Sequence, residues 1–215
     1  MKSLCTYLSL FLLSAHLTKG ADVSDQLARL NAVGPEGKGN AEAAVAWTEL
    51  TQSSADAIVP ILSAMSGASP LAMNWMRSAA EAILAKESSA GSEIPSADIQ
   101  AFLLDRSHDP KARHLAYDFL LDIAPEETAA LVAGMSDDPS PPLRRVAVAK
   151  MIEEGKEQLS NQDEAIKSLR AALDSARDVD QIDEIAKLLQ EDLEQSVDLP
   201  TQFGFLMRWH LIAPF

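Results

Sequence analysis

His108-Asp109-Pro110-Lys111-Ala112-Arg113-His114-Leu115-Ala116-Tyr117-Asp118-Phe119-Leu120 is the stretch that decides the fold. Asp109 suits the cap of a helix, because its carboxylate can accept from N–H groups that have no partner within the helix. Pro110 suits the first turn, where its missing N–H costs nothing. Ala112, Leu115, Ala116, Phe119 and Ile123 then recur at the spacing of one helical face. The centre of the stretch is an arginine, two residues, an alanine and an apolar run. It occurs three times: Arg77-Ser78-Ala79-Ala80 before Ile83-Leu84, Arg113-His114-Leu115-Ala116 before Phe119-Leu120, and Arg144-Arg145-Val146-Ala147 before Met151-Ile152.

The alanines of these units lie 36 and then 31 residues apart. Recurrence at about 30 to 40 residues marks stacked helix pairs. Weaker units flank the three. Ala44 matches with Ala41 in the arginine position, and Ala186 matches with Asp183 there. Atypical end units are what a capped array requires, because the outermost repeats face water.

Outward from the motif the helical pattern is nearly continuous. Residues 23–33 predict a short helix with Val23, Leu27, Leu30 and Val33 on one side, broken by Gly34-Pro35-Glu36-Gly37-Lys38-Gly39. Asn40 is the expected cap of a helix to about Gln52. Further helices are expected at about 54–66, where Pro60 kinks the helix or marks its start, and at 70–87, 95–106, 110–123 and 125–135. Ser88 to Pro95 reads as a polar loop. A helix after Pro142 should end at Gly155, and two more follow at about 163–177 and 179–195.

These units resemble HEAT repeats. The likeness is strongest where a helix is followed by Asp109-Pro110, Arg113 and Ala116, and again by Asp138-Pro139, Arg144 and Ala147; Pro70, Arg77 and Ala80 form a third unit with Ser69 before the proline. The resemblance covers about residues 40–195. It implies an all-α, right-handed solenoid of antiparallel helix pairs. It also implies that the Asp and Pro mark turns, while Arg77, Arg113 and Arg144 make contacts between repeats. On the residues themselves, these arginines are expected to pair with turn carboxylates such as Asp109 and Asp138; the alternative is a ladder facing a partner.

The ends differ from the middle. Residues 1–20 read as a secretion signal, with Lys2 at its start and an apolar run of about twelve residues, short of the roughly 20 that a spanning helix needs. The protein is therefore expected to be exported, to periplasm or medium, with no stable membrane anchor after cleavage. Residues 21–39 form a short helix and a Gly/Pro linker, and 196–215 an apolar, strand-like tail. The tail, from Phe203 to Phe215, resembles the first strand of a β-sandwich module that follows helical repeats in some large secreted bacterial proteins.

Of 215 residues, 47% are apolar and only 5% aromatic, which excludes wholesale disorder and suits closely packed helices. The formal charge is −14, and loss of Lys2 and Lys19 with the signal would leave about −16. Such a surface argues against nucleic acid and anionic membranes as partners. The single cysteine, Cys5, lies inside the signal, so the remaining chain carries no disulfide, thiolate metal site or cysteine nucleophile.

No catalytic or phosphate-cradling motif is present. His108 and His114 lie six apart across a turn, the wrong spacing for a zinc pair. His108 with Asp105 and Asp109 reads as capping and solvated charge, and Asp174, Asp178, Asp180, Asp183 and Glu184 lack the glycine of a calcium loop. Trp47 and Trp75 read as core. No cofactor or metal is expected. The expected function is a non-enzymatic scaffold or spacer that binds a protein partner. The alternative is a non-catalytic arm of a larger secreted enzyme or carbohydrate-binding protein.

Overall fold

The computed structural model describes residues 22–204, and these are all-helical, with no strand among the described residues. The leader expected at residues 1–20 and the apolar run 205–215 lie outside the described residues. The helices are α1 (Ser24–Asn31), α2 (Asn40–Leu50), α3 (Ile58–Ala64), α4 (Pro70–Ala90), α5 (Ser96–Leu104) and α6 (Pro110–Ile123). They continue with α7 (Pro125–Val132), α8 (Pro141–Glu157), α9 (Gln162–Ser175), α10 (Val179–Lys187) and α11 (Leu199–Phe203). A π turn, Leu188–Asp192, extends α10.

The helix starts follow from local chemistry. Asp109 Oδ1 accepts from the Lys111 and Ala112 N–H groups at 2.8 and 3.2 Å, and Ser69 Oγ accepts from Ala72 N–H at 3.2 Å. Proline occupies the first turn of α4, α6, α7 and α8. An Asp109→Ala substitution is expected to lower stability by about 1 kcal/mol, the usual cost of a lost cap, as a shift in the urea midpoint at unchanged slope.

Several boundaries differ from expectation. Asn40 is the first residue of α2 rather than its cap; the cap is Gly39, at φ 78°. With φ positive there, glycine fits where a side chain would be strained. Helix α4 runs through the expected loop as far as Ala90 and stops at Gly91. Pro60 lies in the first turn of α3, where no N–H is required of it. Residues 199–203 of the expected strand-like tail are helical.

Helices close in the chain pack on one another. Contacts join α1 with α2, α3 with α4, α5 with α6, α6 with α7, α7 with α8, α8 with α9 most extensively, and α9 with α10. They also join α1 and α2 with α4, α3 with α5 and α6, and α8 with α6 and α10. The apolar interior falls into two clusters. One runs from Val23 through Ala147 and includes Met76, Ile83, Phe102 and Leu115. The other runs from Val148 to Leu193 and includes Leu169, Leu173 and Leu189. Helix α8 feeds both.

The repeat alanines Ala80, Ala116, Ala147 and Ala186 are buried. Ala44 is exposed, and α2 instead buries Ala43, Ala46 and Leu50. Gly155 does not end α8. It sits within the helix where a Cβ would lie 2.7 Å from Cγ and Cδ2 of Leu169, so its missing side chain is what lets α9 approach.

Candidate functional site

The repeat motif builds a buried clasp at one junction. Arg113 and Asp138 are each 1% exposed. The Arg113 guanidinium donates from Nη1 to Asp138 Oδ1 and from Nη2 to Asp138 Oδ2, both at 2.8 Å, and from Nε to the Leu103 carbonyl at 2.7 Å. The planar fork of arginine matches a carboxylate in this bidentate way, and lysine could not. Ser140 N–H donates to Asp138 Oδ1 at 2.8 Å, and Arg144 Nη1 donates to the Asp138 carbonyl at 2.9 Å. The end of α5, the start of α6, the 137–140 turn and the start of α8 are thus held together through Arg113 and Asp138.

The other motif positions diverge. Arg77 is exposed and pairs with Glu81 one turn along its own helix, at 2.7 Å. Asp109 caps α6, so the expected pairing of arginine with turn aspartate occurs at Asp138 and not at Asp109. Pro110 and Pro139 flank the turns, and Ala80, Ala116 and Ala147 supply close-packed surface. The contact that joins the last units comes instead from Arg145, which pairs with Asp178 at 3.5 Å and with Asp180. Arg145 follows the motif arginine directly, and its partners Asp178 and Asp180 belong to the acidic cluster that lacks the glycine of a calcium loop.

Burial pushes the Asp138 carboxyl up, but the Arg113 guanidinium and the Ser140 N–H outweigh it and hold the group below its usual value. Asp137 is lowered by the hydrogen bond from Arg106, and Asp180 is lowered to about 2 by Arg145. Each of these carboxyls binds its proton less readily in the fold than in the unfolded chain. Their stabilisation is complete above about pH 4 and is lost as pH falls through the folded values. Melting temperature is expected to hold from pH 7 to 5 and to drop steeply between about pH 4 and 2; a flat profile through that window would refute the assignment.

A groove of about 190 Å³ opens between α4 and α6, reached by the first turns of α4, α6 and α8 through Pro70, Lys111 and Pro142. Met65, Met73 and Leu115 form its apolar floor, while Asn74, Arg77 and Lys111 supply donors. At its other side His114 Nδ1 lies 3.8 Å from Asp118 Oδ2. The volume is below the roughly 300–1,000 Å³ of small-molecule sites, so the groove suits one side chain rather than a cofactor. A second hollow farther along the same two helices is lined by Glu81 to Ser89 of α4 and Phe119 to Ile123 of α6.

The remaining candidates are occupied locally. His108 stacks on Phe102 with ring centroids 3.9 Å apart and approaches Asp105 at 3.6 Å. Asp178 and Asp180 face Arg145, Glu184 faces Lys156, and Asp174 accepts from Gln202. Trp47 and Trp75 pack against the first apolar cluster. Among the described residues no group of three or more His, Cys, Asp or Glu side chains is gathered as a metal ion requires, and no described helix is long and apolar enough to cross a membrane. No protein-family model, curated protein or solved structure matches the chain.

Proposed function

We propose that residues 40–195 form a right-handed, HEAT-like solenoid of helix pairs that serves as a protein-interaction scaffold outside the cytoplasm. The row α2, α4, α6, α8 and α10 is its binding face. The observation that carries this reading is the packing order: extensive contacts join helices near one another in the chain, and α2–α4, α6–α8 and α8–α10 meet side by side. The two hollows support it further. One is shared by the first halves of α4 and α6 and the other by their second halves, as parallel neighbours in a row require. Arrays of this kind present an extended surface suited to a partner chain. Export rests on the leader at residues 1–20.

The test is capture of a partner by the immobilised protein from the extracellular fraction of its source cells. Placing a bulky side chain on the row, with Ala85→Trp and Ser88→Trp, is expected to abolish capture. The same change away from the row, with Asp98→Trp and Glu127→Trp, is expected to leave capture intact. Equal loss from both sets, or capture that survives both, would sink the reading. The mass of the native protein from that fraction tests export: it should be lighter by residues 1–20.

A further inference from the structure

We infer that the groove between α4 and α6 takes a carboxylate side chain from an extended acidic and apolar segment of a partner protein, with Lys111 as the anchoring cation. This rests on the row α2 to α10 being the binding face, and it names the chemistry of what binds there.

The first ground is the state of Lys111. The chain holds 32 acidic and 18 basic residues, so a cation should readily find a carboxylate. Among the described residues nearly all do, or else they donate to a carbonyl, as Arg144, Lys150, Arg170 and Arg177 do. Lys38 and Lys111 alone make neither contact, and residues 1–21 and 205–215 contain no Asp or Glu. Both are exposed, but Lys38 lies in the linker, whereas Lys111 lines the groove.

The second ground is position. Lys111 stands in the first turn of α6, beside the positive end of the helix dipole. A cation there is unfavourable to the helix, so local stability does not explain the residue. A carboxylate arriving at this point would meet Lys111 and Asn74, while the Arg77 guanidinium is already paired through Nε with Glu81 and feels Asp118.

The floor sets the rest of the ligand. Met65, Met73 and Leu115 are 3%, 9% and 4% exposed. Methionine adapts to irregular apolar shapes, so the floor suits an aliphatic stem or a neighbouring apolar side chain. Asp118, on the His114 side, would repel a carboxylate, which places the acid at the Lys111 side. The net charge of −14 opposes an acidic partner at long range. That repulsion is screened within about 8 Å at physiological salt, so recognition occurs by contact rather than by steering.

The full chain can be titrated against a fluorescein-labelled peptide of alternating glutamate and leucine, with anisotropy as readout. A lysine–leucine peptide of the same length serves as control. Saturable binding of the acidic peptide is expected. Lys111→Glu should weaken it by about tenfold and Asp118→Asn should tighten it by about threefold, as swapping attraction and repulsion across a desolvated contact predicts. Lys38→Glu makes the same change in net charge away from the groove and should leave binding unchanged. Lys111→Glu should also raise the melting temperature slightly, because an acid favours that helix end, so loss of binding cannot be read as unfolding.

Equal weakening by Lys38→Glu and Lys111→Glu would overturn the inference, as would absent binding, preference for the lysine peptide, or full displacement by free glutamate or inorganic phosphate at the peptide's concentration. Peptide binding indifferent to Lys111 overturns the groove assignment while the capture experiment still decides the row.

Discussion

Asp138→Ala is expected to remove about 3–5 kcal/mol of stability, because it leaves the Arg113 guanidinium buried with no counter-charge. Arg113 is 1% exposed and donates three hydrogen bonds, two of them to this carboxylate. The N–H of Ser140 would lose its acceptor as well. For a domain of this size the melting temperature should fall by about 10 °C or more. Urea titration followed by circular dichroism gives the free energy directly. The double variant Arg113→Met with Asp138→Leu should recover much of the loss, since a buried pair replaced by well-packed apolar groups is often neutral. A loss below about 1 kcal/mol for Asp138→Ala would show that water reaches the clasp.

The second large effect is expected at Gly155. A Cβ there would lie 2.7 Å from both Cγ and Cδ2 of Leu169, which is fully buried. Gly155→Leu should cost about 3 kcal/mol, because α8 and α9 must separate or Leu169 must leave its rotamer. Helix propensity works the other way, favouring any residue but proline over glycine by up to about 1 kcal/mol, and it is too small to compensate. Adding Leu169→Ala to Gly155→Leu should restore part of the loss by making room. An independent cavity penalty at Leu169 would instead make the double variant worse than either single one, and would refute the close-approach argument.

Helix starts were the most legible part of this chain. Asp109-Pro110 and Ser69-Pro70 carry their own chemistry, a cap followed by a residue with no N–H to satisfy, and α6 and α4 begin there. What failed involved residues whose meaning depends on a neighbour. Gly155 reads as a helix stop, but a glycine is equally suited to close packing, and only the position of Leu169 decides between them. Ala44 was assigned by extending the repeat, yet α2 is so rich in alanine that composition alone does not single out a face. The role of Arg145 is not legible because its partners lie 33 and 35 residues away, beyond the whole of α9. The groove was not legible at all. Lys111 is an ordinary residue in the sequence, and its lack of a carboxylate becomes visible only once every other charge has been placed.

Helix α8 carries one further consequence. Leu143 and Ala147 belong to the first apolar cluster, while Val148 and Ile152 belong to the second, so the boundary between them falls in the middle of one helix. Cooperative units of a fold follow such divisions, and each opens with its own free energy. The carboxy-terminal unit can therefore open and re-form, fraying α8 back to about Ala147, while α4 and α6 stay in place. Amide exchange should rank α9 and α10 apart from α3 to α6. The molecule then behaves as a stiff platform with a hinged end, and the groove lies on the platform.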